Sequence, residues 1–141
     1  MSNTLCVSLG NSYHVENPSP EEIDWAIGEL RPIKGNHVIL GVNPRIENCE
    51  FLQTLIEYEN DPDGFFTDDE LVFLVQVQHK FVQSKVLEKG GFKQYSFHTS
   101  DMDEVKRMFR MFALGVVPSV AGWKDITNEL NALIDKRDGL A

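Results

Sequence analysis

The densest group of side chains able to do chemistry is Asp61-Pro62-Asp63-Gly64, followed by Asp68-Asp69-Glu70. Such a run invites a calcium site. A calcium loop needs oxygens converging from fixed offsets, with glycine at its sixth position and a bidentate glutamate at its twelfth. Counted from Asp61, glycine is fourth and Phe66 is sixth, so the motif fails and the run reads as a solvated loop. His14, His37, His79 and His98 are scattered, without HExxH or a paired Cys-x-x-Cys, so no zinc signature is present. Lys89-Gly90-Gly91 is a turn and not a phosphate loop, and Ser84 and Ser119 lack a nucleophile-elbow context. Glu57 and Glu59 lie two apart in a strand pattern, hence on one face. With a histidine they could do acid–base work, as in a small hydrolase or transferase, although strand carboxylates on a wet face are ordinarily only solvated. No catalytic set, metal or cofactor is expected.

The two cysteines are expected to be reduced thiols. Cys6 falls in an apolar strand pattern and reads as a small core residue, whereas Cys49, beside Asn48 and Glu50, reads as partly exposed. A nucleophilic cysteine needs a base within reach, and the sequence places no histidine beside either thiol. Phe65-Phe66 stands inside the acidic run. Two adjacent rings in a loop do not easily both point inward. One can anchor the loop to the core while the other, ringed by acids, would resemble a binding hot spot.

These residues must be positioned by something, and composition bounds what. The chain has 141 residues, 22 acidic and 13 basic, with a net charge of −9. That length suits one domain spanning 1–141. The charge disfavours nonspecific binding to nucleic acid or an anionic membrane, both of which need clustered Lys and Arg, and favours a basic partner. No stretch approaches the ~20 apolar residues of a membrane span. MSNTLCVSLG lacks the basic and long apolar regions of a signal peptide, so a cytoplasmic protein is expected.

Leu5, Val7 and Leu9 alternate with polar neighbours and predict a first strand; 11–17 reads as a loop. Ser19, Pro20 and Glu22 supply the cap, first-turn proline and capping-box acid of a helix, whose apolar face is Ile23, Ala26, Ile27 and Leu30 and which Arg31-Pro32 ends. Residues 38–42 predict a buried strand, with a turn beginning at Asn43-Pro44. Leu52, Thr54, Ile56 and Tyr58 alternate, with Leu55 breaking the pattern; Leu71, Phe73, Val75 and Val77 alternate after the acidic run, so the two form an antiparallel hairpin with a long loop. Phe81-Val82 and Val86-Leu87 suggest a further strand, and Tyr95 and Phe97 another.

Residues 100–123 code one amphipathic helix and its return. Met102, Val105, Phe109 and Phe112 form one stripe behind a capping-box-like Ser100 and Asp103. Gly115 suits the left-handed residue past the helix end, Pro118 prevents resumption, and Trp123 is expected to cover Phe109 or Phe112. Trp123, Ile126, Leu130, Leu133 and Ile134 make a last helical stripe. Strand, helix, a run of strands, then helices predicts an α+β fold: a single domain with a mainly antiparallel sheet covered by helices.

The order of 71–78, 81–85, the helix over 101–114 and the Gly115–Pro118–Trp123 ending resembles the immunity proteins of bacterial polymorphic toxin systems. The closest likeness is to the large family often paired with nucleic-acid deaminase toxins. The resemblance covers roughly residues 38 to 126. Ala121-Gly122 loosens the spacing before Trp123, and a further helix follows it. The resemblance implies an antitoxin without catalysis, whose partner is a cognate toxin domain; the matching residues look structural, so it implies no contact residues. On charge and exposure, the contact surface is expected on the acidic hairpin: Glu57, Glu59, Asp61, Asp63, Asp68, Asp69 and Glu70, with Phe65 or Phe66 as anchor. An adaptor subunit using the same surface on another protein is a further reading.

Overall fold

The computed structural model describes residues 2–57, 71–82 and 86–139. Ten elements follow one another: β1 (Ser2–Ser8), β2 (Ser12–Glu16), α1 (Pro20–Gly28), β3 (His37–Ile46), β4 (Cys49–Ile56), β5 (Phe73–Lys80), β6 (Phe92–Thr99), α2 (Met102–Ala113), β7 (Lys124–Asp125) and α3 (Thr127–Arg137). The strands make one antiparallel sheet in the order β2-β1-β3-β4-β5-β6-β7. The fold is α+β, with a mainly antiparallel sheet and helices packed on it, as the element order predicts.

Register explains the core. Val7, Val38, Thr54, Val75 and Phe97 stand in one cross-strand row, and Leu5, Leu40, Leu52, Val77 and Tyr95 in the next. Side chains two apart share a face, so both rows face the same way. There they meet Ile23, Ala26 and Ile27 of α1 and Val105, Phe109 and Phe112 of α2 in one buried cluster. Thr54, the polar member, is satisfied within the sheet, its hydroxyl donating to the Leu74 carbonyl at 3.0 Å.

Local signals build the helices. At α1 the capping box is complete: Glu22 N–H donates to Ser19 Oγ at 3.1 Å, and Ser19 N–H to Glu22 Oε1 at 2.9 Å. At α2 the cap is Asp101 and not Ser100; its carboxylate accepts from Glu104 N–H at 3.3 Å. The box slips by one residue because Thr99 Oγ1 takes the Asp101 N–H and holds Glu104 on its other side. Asp24 accepts from Arg110 at 2.7 and 2.8 Å and ties α1 to α2. Gly115, at φ +94°, turns the chain back as expected. Trp123 is half-buried and packs against the core cluster to which Phe109 and Phe112 belong. It stacks on Phe97 of β6, with ring centroids 5.3 Å apart and planes 14° from parallel.

Four more expectations are corrected. Residues 11–17 hold β2, in which Tyr13 and Val15 pack against the core; the short alternation sits between two turn-forming asparagines that mask it. Asn43-Pro44 does not end β3. The peptide is cis, and the strand runs on through a bulge to Ile46, where Glu47 and Asn48, both at positive φ, make a two-residue hairpin turn. Phe81, Val82, Val86 and Leu87 lie outside any strand; Phe81 and Val86 are exposed. Trp123 precedes α3, and Leu133 is 60% exposed, so the last stripe reduces to Ile134 with half-buried Leu130. No helix among the described residues is long and apolar enough to cross a membrane.

Candidate functional site

Helices α1 and α2 cover one face of the sheet, and α3 packs against β6. The other face of β1 to β4, with the near part of β5, carries no helix among the described residues. Its side chains alternate with those of the core rows: Cys6, Ile39, Gln53 and Gln76 in one row, Thr4, Gly41 and Phe51 in the next. Ile39, Phe51, Leu55 and Leu74 are half-buried here. Among them Gln53 Nε2 donates to Gln76 Oε1 at 2.6 Å, so the centre of the face is apolar with one amide pair locked across β4 and β5.

The two ends of this face are polar. On the β1–β2 side, directly opposed residues form three pairs: Thr4 Oγ1 donates to Glu16 Oε2 at 3.1 Å, Cys6 Sγ lies 3.2 Å from His14 Nδ1, and Ser8 Oγ lies 3.0 Å from Ser12 Oγ. On the β4–β5–β6 side, Glu57 N–H donates to the Val72 carbonyl and carries the ladder past Ile56. Its carboxylate Oε1 lies 2.5 Å from Nε2 of His98. Where β3 bulges, Ser2, Thr4, Gly41, Asn43, Arg45 and Phe51 help line a cleft of about 550 Å³. Gly41 contributes no side chain to that floor. A Cβ there would meet only the Glu50 and Thr4 carbonyls, at 3.7 and 3.8 Å.

Of the residues expected to contact a partner, Glu57 is found on this face, bonded to His98. Glu59, Asp61, Asp63, Phe65, Phe66, Asp68, Asp69 and Glu70 lie outside the described residues. The half-buried apolar residues Ile39, Phe51 and Leu74 of this face were not singled out in the sequence. The available signal was Leu55, which breaks the alternation of β4: an apolar residue at the wrong parity means that the second face is not wholly wet.

The thiols reverse their expected positions. Cys49 is fully buried and Cys6 half-buried on the open face; both are free. Irregular pairing near the β3–β4 turn swings Cys49 to the core side, whereas Cys6 alternates with core residues Leu5 and Val7. Each thiol also meets a histidine that strand pairing supplies. Cys49 Sγ is 3.4 Å from His79 Nδ1, which also lies 2.9 Å from the Glu47 carbonyl, and the His79 ring stands edge-on to Tyr95. Burial first, and the charge of Glu47 second, push the Cys49 thiol up to about 12. It therefore stays protonated at neutral pH, a core residue with no nucleophilic use.

Glu57 with His98 is, among the described residues, the pair of the kind an acid–base enzyme would need that matches the sequence expectation, and it lies at the rim of this face. Among the described residues, no group of three or more His, Cys, Asp and Glu could hold a metal ion. A comparison with models of protein families finds no match. Comparisons with curated proteins and with solved structures find none either.

Proposed function

We propose that this chain is an immunity protein that binds a cognate bacterial toxin domain, one directed at nucleic acid, and blocks its active site without turning anything over. The observation that carries the reading is the sheet face that no described helix covers. It is broad, held rigid by strand pairing, apolar at its centre and polar at both ends, which is the anatomy of a protein-docking surface. The helix–Gly115–Pro118–Trp123 return, on which the resemblance rests, supports the same reading. So does the net charge of −9, which suits a basic substrate cleft on the partner. The acidic residues of 59–70 stay part of the proposed contact on grounds of charge, continuing from Glu57.

The test is co-expression with the toxin domain encoded beside this chain. Growth should be rescued, while an unrelated toxin of the same chemistry still kills, because partners are discriminated by differences in binding energy. Purified protein should inhibit near one-to-one. Changing Leu55 and Leu74 together to Gln keeps volume and matches the neighbouring amides. It should weaken binding about tenfold or more, a loss of about 1.4 kcal/mol, with the fold intact by circular dichroism. Full affinity in that variant would remove this face from the interface.

The Glu57–His98 pair favours a second reading, a small hydrolase or transferase acting on the partner. Under it, trace amounts would rescue growth, the toxin would be left chemically altered, and His98→Gln would abolish protection. Under the binding reading, His98→Gln changes affinity at most modestly, since the pair is half-exposed.

A further inference from the structure

We propose that Cys6 and His14 form a thiol-modification site, in which His14 takes the Cys6 proton as the sulfur attacks a low-molecular-weight disulfide. The inference stands whether or not the chain neutralises a toxin.

The two residues are directly opposed in the β1–β2 ladder, with Sγ 3.2 Å from Nδ1. A nucleophile and a base within hydrogen-bond reach are what an activated thiol requires. Neighbouring polar groups do not compete for either atom: Thr4 engages Glu16, and Ser8 engages Ser12. His14 is exposed and Cys6 half-buried on the face that no described helix covers, so a small reagent can reach the sulfur. With its other nitrogen carrying the proton, the imidazole presents Nδ1 as acceptor.

The atoms balance simply. Cys6 sulfur bonds to one sulfur of the reagent, and the reagent's S–S bond breaks. The second sulfur leaves as a thiolate, and the Cys6 proton passes to His14 and then to that thiolate or to water. Cys6 is oxidised to a mixed disulfide, and the reagent is reduced to one thiol. The adduct cannot be resolved within the molecule. Cys49, the other thiol, is buried in the core on the opposite side of the sheet. An external thiol must therefore remove the adduct, which makes the site a reversible thiolation site and not an internal disulfide switch. The Cys49–His79 pair serves as a control carried by the same chain, with similar contacts but no access.

The test uses 4,4′-dithiodipyridine on the folded protein at pH 7, followed by the absorbance of the released thiopyridone. One equivalent should react quickly and a second only on unfolding in urea. Cys6→Ser should remove the fast phase. The fast phase should exceed the rate of the same thiols in urea about tenfold, and His14→Gln should slow it about tenfold with unchanged circular dichroism. With glutathione disulfide, peptide mapping should find one glutathione on Cys6, removable by dithiothreitol. A fast phase no faster than that of the unfolded thiols, or one that His14→Gln leaves unchanged, would overturn the proposal. So would a glutathione adduct on Cys49 of the folded chain.

Discussion

Burial gives Cys49 a measurable signature in stability. Its thiol is pushed from an ordinary value of 9.0 up to about 12. Below pH ~9 it is protonated in the folded and unfolded chain alike, and its contribution is fully present. Above that the unfolded thiol ionises while the folded one holds its proton, so stability falls as pH rises from about 9 towards 12, by up to about 1.4 kcal/mol per unit. Denaturation of the wild type and Cys49→Ala between pH 8 and 10.5 should show a shallower alkaline loss in the variant, at the cost of lower stability throughout. Parallel curves would mean that Cys49 is not the group responsible. Tyr13, raised by partial burial and by Glu29, adds its own loss only above its ordinary value of 10.0, which separates the two. The Asp24–Arg110 pair is more than one-third exposed on each side, so Asp24→Asn should cost less than about 1 kcal/mol in the same measurement.

At the scale of elements, the two helices that cover the core differ in what holds them. Helix α1 has nine residues, too few to persist by itself, and depends on its cap and its three buried residues. Ser19→Ala should cost about 1 kcal/mol by removing an acceptor that the Glu22 N–H needs. Helix α2 is held by packing: Val105, Phe109 and Phe112 are fully buried against β3, β4 and β5. Phe109→Ala should cost about 3–5 kcal/mol. Trp123→Ala should cost clearly less than that, because the indole is only half-buried at the edge of the core, stacked on Phe97. Equal losses in the two variants, read from urea midpoints, would put Trp123 deeper in the core than its stacking on β6 implies.

For the whole molecule, charge and shape work together in the proposed encounter. An excess of nine acidic charges draws a basic partner from a distance, and the open sheet face supplies the contact once the two meet. Exposed charges are screened beyond about 8 Å at physiological ionic strength. Association with the toxin should therefore slow as salt rises, with dissociation changing less. Replacing Asp61, Asp63, Asp68 and Asp69 by Asn should lower the association rate without unfolding the chain. Gly41→Ala makes only ordinary contacts and should leave stability nearly unchanged, so any loss of affinity would locate the β3 cleft within the interface.

Local order was legible in the sequence wherever one short stretch contained the whole signal. Ser19, Pro20 and Glu22 announce α1 because a cap needs only its own four residues, and the α2 stripe and its Gly115 stop obey the same rule. The alternation of Leu71 to Val77 likewise reveals a half-buried strand, and the sum of such elements the α+β class. What the sequence could not determine are relations between distant positions. That β2 pairs with β1, that His14 meets Cys6 and His79 meets Cys49, and that Trp123 finds Phe97 all depend on strand register, which is set when the core rows align across the sheet. The same alignment decided which thiol was buried. A bulge beside a hairpin turn reversed the side on which Cys49 points, and no local pattern encodes which side of a sheet the helices will cover.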